Sequence, residues 1–176
     1  MLRTEKYSFI LTALFLFAFP GVSHSEQYKL PDYEIALGGG TSLNSLSTTQ
    51  LLLLGARNIH LKEGLFFRVE PTLEYITGNE DMYLAGFSLA LRFASPHEGI
   101  TPFVDLGAGV NYVSETTFRD RDLGGHFLFD LLLAGGFNFG DEYSLSYRYR
   151  HLSNGGIGDG NEGFDSFYIL LGFYLK

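Results

Sequence analysis

Apolar and polar side chains alternate along most of this chain with a period of two residues, which is the period of a β-strand. The stretch Met82–Ala94 has aromatic or aliphatic side chains at every second position and mostly small or charged side chains between them. Turn residues separate similar stretches. We therefore predict strands at Tyr33–Leu43, Thr48–His60, Leu65–Thr77, Met82–Ala94, Thr101–Ser114, His126–Phe139, Glu142–Ser153 and Phe164–Lys176.

The predicted strands have the length and the two faces of strands that cross a membrane. A tilted strand needs about 9–11 residues to do so. One face of each strand is almost wholly apolar, and the other has glycine, small residues and charges. The pattern predicts an all-β protein, an eight-stranded antiparallel up-and-down transmembrane β-barrel. Because eight strands leave an interior that side chains fill, the barrel is not expected to be a pore.

The first residues have the features of a signal peptide. Arg3 and Lys6 precede an apolar stretch, residues 9–19, which is too short to span a bilayer as a helix and ends at Pro20. Small residues follow, and we expect cleavage after Ser25, with cleavage after Ser23 as the alternative. The predicted domains are therefore a signal peptide, residues 1–25, and one barrel domain, residues 26–176, exported to the bacterial outer membrane.

Composition excludes several kinds of chemistry. The chain has no cysteine, so it can form neither disulfides nor thiolate metal sites. Its net charge is −8 and it has no basic cluster, which argues against a nucleic-acid partner. We expect neither a cofactor nor a metal. Strand parity places one group of charged residues inside the barrel, where we predict an ion-pair network: Arg68, Glu70, Glu74, Arg92, Asp105, Asp130, Arg148 and Arg150.

Connection lengths predict the orientation of the barrel. The fifth and seventh connections, Glu115–Gly125 and Asn154–Gly163, are the longest, and the sixth is only Gly140 and Asp141. Outer-membrane barrels keep short turns in the periplasm and long loops outside. The odd-numbered connections are therefore predicted to be extracellular, with both chain termini in the periplasm.

Two polar residues occupy the apolar face of the seventh predicted strand. His151 and Ser153 share that face with three tyrosines, and Asp165 begins the next strand on its own apolar face. A serine that attacks an ester needs a base to accept its proton and an acid to orient that base. His151 and Ser153 have Cβ atoms about 7 Å apart, a gap that an imidazole can close. The alternative is that all three are interfacial polar residues without a catalytic role.

The segment from His151 to Asp165 resembles the signature of the PagL family of lipid A 3-O-deacylases, His-x-Ser-Asn-Ala-Gly-Ile/Leu, then Asn-x-Gly, then an acid. The acid follows twelve residues after the serine. Seven residues match the signature in register: His151, Ser153, Asn154, Gly156, Ile157, Asn161 and Gly163. The family usually has glutamate at the position of Asp165 and alanine at that of Gly155. Glu162 is the alternative acid.

The resemblance implies a serine esterase of the outer membrane that removes the ester-linked 3-hydroxyacyl chain from position 3 of lipid A. Ser153 would be the nucleophile, His151 the general base and Asp165 the residue that orients it. Asn154 and Gly156 would form the oxyanion hole. The implied partners are lipopolysaccharide, as substrate, and outer-membrane lipids.

Two other functions remain open at this level. A non-enzymatic barrel, an adhesin or a structural protein, would act through its loops, above all Glu115–Gly125. Four consecutive charged residues in this loop are predicted to form a solvated tip: Arg119, Asp120, Arg121 and Asp122. Its arginines could also contact lipopolysaccharide phosphates. A second alternative is another lipid hydrolase, such as a phospholipase. The oligomeric state is also open, with a homodimer as one alternative.

Overall fold

The structure is a computed structural model that describes residues 28–43, 48–78, 80–95, 99–157, 160 and 162–176. The predicted signal peptide lies outside these residues. The described part contains no helix long and apolar enough to cross a membrane. Its strands are β1 (Tyr33–Ser42), β2 (Thr49–Lys62), β3 (Leu65–Thr77), β4 (Met82–Ala94), β5 (Ile100–Val113), β6 (Thr117–Phe118), β7 (Arg121–Asp122), β8 (Phe127–Phe139), β9 (Tyr143–Ser153) and β10 (Phe164–Leu175).

Eight of these strands form one closed antiparallel barrel, in the order β1-β10-β9-β8-β5-β4-β3-β2. The first and last strands close it, since Tyr33 pairs with Leu175 and Ser42 pairs with Ser166. The short strands β6 and β7 form a separate hairpin between β5 and β8. The predicted eight-stranded up-and-down barrel is confirmed, and its strand ends differ from the predicted ones by at most two residues.

Large apolar side chains cover the outer surface of the barrel. Leu73, Tyr83 and Leu131 are 58–61% exposed, and the positions next to each of them in its strand are mostly buried. A barrel in water would bury its apolar face and expose its charges, whereas lipid favours the arrangement seen here. The predicted assignment of outward and inward faces is confirmed.

The interior of the barrel contains a network of buried ion pairs. Arg68 lies 2.8 Å from Glu34 and 2.7 Å from Glu70. Arg150 bonds to Glu74 at 2.8 Å and to Asp130 at 2.9 Å. All eight charged residues predicted to face inward are buried, and Glu34, which the sequence analysis missed, joins them. Because each charge has a partner of opposite sign, the network offsets the cost of burying it.

The fifth connection is a folded hairpin. Its four charged residues are at least partly solvated as predicted, with Asp120 and Asp122 exposed and Arg119 and Arg121 half-buried. Phe118 and Leu123 flank the charged residues and are buried in an apolar cluster at the end of the barrel that has the fifth and seventh connections. The Arg121 guanidinium donates hydrogen bonds to the carbonyls of Glu162 (2.6 Å) and Gly163 (2.9 Å). Because Phe118 and Leu123 are buried in this cluster, the hairpin lies over this end of the barrel and contacts the seventh connection.

Candidate functional site

The site is built on the ends of β9 and β10 that the seventh connection joins. His151 and Asp165 lie directly opposite each other in the ladder that joins these strands. Both side chains are on the outer face and are partly exposed, 36% for His151 and 27% for Asp165. Side chains directly opposite each other have Cβ atoms about 4.5–5.5 Å apart. The register therefore brings the two together, and aspartate is long enough to span the gap.

A short hydrogen bond fixes the imidazole of His151 against Asp165. The distance from His151 Nδ1 to Asp165 Oδ1 is 2.8 Å. An ionised carboxylate only accepts hydrogen bonds, so Nδ1 must carry the proton in this contact. In neutral histidine the other ring nitrogen, Nε2, then has a lone pair. This is the tautomer in which Nε2 can accept a proton from a hydroxyl group.

Gly163 lies close to the same imidazole. A Cβ atom added to Gly163 would lie 3.1 Å from His151 Cε1 and 3.8 Å from Nε2. Gly163 also has a φ of +47°, a left-handed conformation that glycine adopts without steric cost. The position of Gly163 therefore leaves little space for a side chain beside the imidazole.

Ser153 shares the outer face of β9 with His151, two residues further along the strand. It pairs with Phe129 of β8, and its side chain is half-buried. Among the described residues, no hydrogen bond joins the Ser153 hydroxyl to His151. Hydrogen bonds at catalytic sites are often long or poorly aligned without substrate. The predicted contact between the hydroxyl and the imidazole stays a prediction.

The loop after Ser153 begins with a turn that Asn154 organises. Asn154 is buried; its Oδ1 accepts the Gly156 N–H at 2.8 Å, and its Nδ2 donates to the Gly160 carbonyl at 2.7 Å. Gly155 and Gly156 have φ values of +66° and +78°, which explains the two consecutive glycines. The two residues predicted to form an oxyanion hole thus lie in one turn next to Ser153, and their catalytic role stays a prediction.

Glu162, the alternative acid, points toward the hairpin. Its carboxylate accepts the Asp122 N–H at 2.9 Å, and its own N–H donates to the Asp122 carbonyl at 3.1 Å. The imidazole of His151 bonds to Asp165 instead. The geometry therefore favours Asp165 over Glu162 as the partner of the base.

Two further residues contact the site and were not predicted from the sequence. Tyr149 donates a hydrogen bond to Asp165, and Arg121 holds the backbone of Glu162 and Gly163. Strand parity did place Tyr149 on the outer face with His151, but it gave no sign of the contact with Asp165. Among the described residues, no group of three or more His, Cys, Asp or Glu side chains is placed to hold a metal ion.

A closed barrel with an apolar outer surface and three polar residues at one rim defines an outer-membrane β-barrel protein with a candidate hydrolase site. The chain belongs to the PagL family, described as lipid A 3-O-deacylase, whose family model matches residues 35–174. This agrees with the family expected from the His151–Asp165 segment.

Individual relatives support the family and the fold. Over 73 residues the chain is 33% identical to the lipid A deacylase PagL of Pseudomonas aeruginosa, a match that spans 42% of each chain. The crystal structure of the outer membrane enzyme PagL superposes with a TM-score of 0.73 at 20% identity, covering 81% of this chain and 99% of that chain. The crystal structure of the N-terminal β-barrel domain of Pseudomonas aeruginosa OprF superposes with a TM-score of 0.51 at 14% identity. The match covers 82% of this chain and 97% of that chain.

Proposed function

We propose that this protein is a lipid A 3-O-deacylase, a serine esterase that hydrolyses the ester-linked 3-hydroxyacyl chain at position 3 of lipid A. The observation that supports it best is the His151–Asp165 pair, 2.8 Å apart on the outer surface, with Ser153 on the same face. Within a family described as lipid A 3-O-deacylase, this arrangement provides a nucleophile, a base and an orienting acid.

The proposed reaction has two steps. In the first, Ser153 Oγ attacks the ester carbonyl while His151 Nε2 accepts its proton. The bond from the acyl carbon to the sugar oxygen then breaks, and His151 protonates that oxygen. In the second step His151 Nε2 accepts a proton from a water molecule, which attacks the acyl carbon. The bond from that carbon to Ser153 Oγ breaks, His151 returns the proton to Oγ, and the 3-hydroxy fatty acid leaves. Asp165 stays ionised and stabilises the imidazolium that forms in each step.

The barrel orientation explains how such a substrate would reach the site. The even-numbered connections are short, as at Gly140 and Asp141, and such turns face the periplasm in outer-membrane barrels. The opposite end, with His151 and Ser153, then lies at the level of the outer leaflet. An acyl ester of lipid A could reach Ser153 sideways, without leaving the bilayer.

The turn after Ser153 is the proposed oxyanion hole. Asn154 and Gly156 both lie within three residues of the nucleophile. The Gly156 N–H is donated to Asn154 Oδ1 at 2.8 Å, so it would serve an oxyanion only if that bond opened. Asn154 Nδ2 donates one of its two hydrogens to the Gly160 carbonyl and carries a second. Preorganised donors of this kind stabilise the negative charge that develops on the carbonyl oxygen. Asn154 would also keep the turn in shape, so its replacement is expected to affect both the turn and the reaction.

Mass spectrometry of lipid A tests the proposal. Lipid A would be isolated from cells that produce the wild-type protein, the S153A variant or neither. Only the wild type should remove one 3-hydroxyacyl chain, and the released acid should be recovered. Folded S153A barrels in the outer membrane provide the control, because a rim residue that faces lipid adds little to the strand ladder. Unchanged lipid A in cells with folded wild-type protein would refute the proposal.

A further inference from the structure

Tyr149 makes a direct contact with the acid of the proposed site. Its hydroxyl donates a hydrogen bond to Asp165 Oδ1 at 2.6 Å. The same oxygen accepts the bond from His151 Nδ1 at 2.8 Å. One carboxylate oxygen therefore receives two donors from side chains of the same strand, β9.

The strand register explains how Tyr149 reaches Asp165. Tyr149 lies two residues before His151 on the outer face of β9 and pairs with Phe167 of β10. Asp165 is the diagonal neighbour of Tyr149, a separation that an aromatic side chain can span. The ring of Phe167 packs on that of Tyr149 with 5.3 Å between centroids and limits its rotation. The hydroxyl group of Tyr149 therefore points along the barrel surface toward the Asp165 carboxylate.

We infer that Tyr149 is a positioning residue that holds the Asp165 carboxylate in the orientation in which it binds His151. This inference rests on the proposed function. The last torsion of an aspartate side chain is broad, so a single bond to an imidazole leaves the carboxylate free to turn toward water. A second donor on the same oxygen narrows that range and provides a charge-assisted hydrogen bond at a partly exposed site.

Tyr147 provides a matched control on the same strand and face. It also packs on Phe167, with ring centroids 5.0 Å apart. Among the described residues its hydroxyl makes no hydrogen bond. The rings of both tyrosines lie on the outer face of the barrel, but only the Tyr149 hydroxyl bonds to Asp165. A purely interfacial role predicts similar behaviour for Y149F and Y147F, and a positioning role predicts a difference.

A double-mutant cycle on the purified full chain in detergent tests the inference. The variants are Y149F, Y147F, D165N and Y149F/D165N, and the readouts are kcat and KM for release of 3-hydroxy fatty acid from lipopolysaccharide. Circular dichroism shows whether each barrel is folded, and rates are expressed per folded protein. We expect Y149F to lower kcat about tenfold with little change in KM, and Y147F to match the wild type.

The double mutant distinguishes action through Asp165 from a general effect on the barrel. If Tyr149 acts by orienting the carboxylate, Y149F should have no further effect once D165N has removed the charge. Equal kcat values for Y149F and Y147F would overturn the inference, as would an equal loss from Y149F in both backgrounds. Full activity of D165N would instead count against the proposed acid, and inactivity of the wild type would count against the proposed function.

Discussion

Asp165 and His151 face each other directly across the β9–β10 ladder, and their side chains meet through a 2.8 Å hydrogen bond on the outer surface of the barrel. This register explains how an aspartate, the shorter of the two acidic residues, can reach the base. A directly opposite residue needs little reach, whereas an acid on the following loop would need more.

The first prediction distinguishes the two candidate acids. We expect D165N to lower kcat by about 10²–10⁴-fold, because an uncharged partner no longer stabilises the imidazolium or selects its tautomer. Glu162 bonds to the backbone of Asp122 and not to His151, so E162Q should lose at most a few-fold. Steady-state kinetics on folded protein measures both. The reverse order of effects would assign the acid to Glu162.

The second prediction concerns the glycine that contacts the imidazole. In G163A the new methyl group would lie 3.1 Å from His151 Cε1, so the ring must shift and kcat should fall about tenfold or more. Gly140 also has positive φ, +60°, but nothing lies within 4 Å of an added Cβ atom there. G140A thus imposes a similar backbone strain in a periplasmic turn, and its kcat should equal that of the wild type. Equal activity of the two variants would contradict this role of Gly163.

The third prediction tests whether the β6–β7 hairpin supports the site. Arg121 donates hydrogen bonds to the carbonyls of Glu162 and Gly163. These residues lie three and two positions before Asp165, which bonds to His151. In R121A we expect faster amide hydrogen exchange at residues 162–165 and a several-fold lower kcat, with an unchanged barrel melting temperature. Asp120 is exposed at the tip of the same hairpin, and D120A should change none of these quantities. Unchanged exchange in R121A would show that the hairpin does not hold this segment.

The fourth prediction concerns the ion pairs inside the barrel. R150M leaves Glu74 and Asp130 without their guanidinium partner, and breaking a buried pair in this way costs about 3–5 kcal/mol. Arg57 is exposed, so R57M should change the free energy of unfolding by about 0.5 kcal/mol or less. Urea unfolding of detergent-solubilised barrels measures both. If R150M changed the free energy of unfolding by only about 0.5 kcal/mol or less, the ion-pair network would contribute little to the stability of the barrel.

The barrel could be predicted from the sequence because lipid imposes a simple rule on each strand. Outward positions must be apolar, so the period of two residues is nearly unbroken in β3, β4 and β8, and turn residues mark the strand ends. Glu34 was missed because it is a single inward charge in a glycine-rich strand. The β6–β7 hairpin was missed because a run of charged residues concealed the anchors Phe118 and Leu123 on either side of it.

The candidate site could be predicted only in part. Parity placed His151, Ser153 and Asp165 on the outer face, and the structure confirms that placement, while their chemical roles stay predictions. The contacts of Tyr149 and Arg121 depend on diagonal reach across strands and on how two loops meet, and neither follows from the period of the sequence. The signal peptide and the homodimer also stay predictions.

The most direct test of the central claim, that Ser153 is the nucleophile of an esterase that faces lipid, is covalent labelling. The purified barrel would react with a long-chain alkyl fluorophosphonate, and mass spectrometry would locate the adduct. We predict an adduct on Ser153 in the wild type, none at this position in S153A, and labelling slowed by at least about 100-fold in H151A, which lacks the base. An unlabelled Ser153 in protein that still deacylates lipid A, or full activity of S153A, would contradict the account.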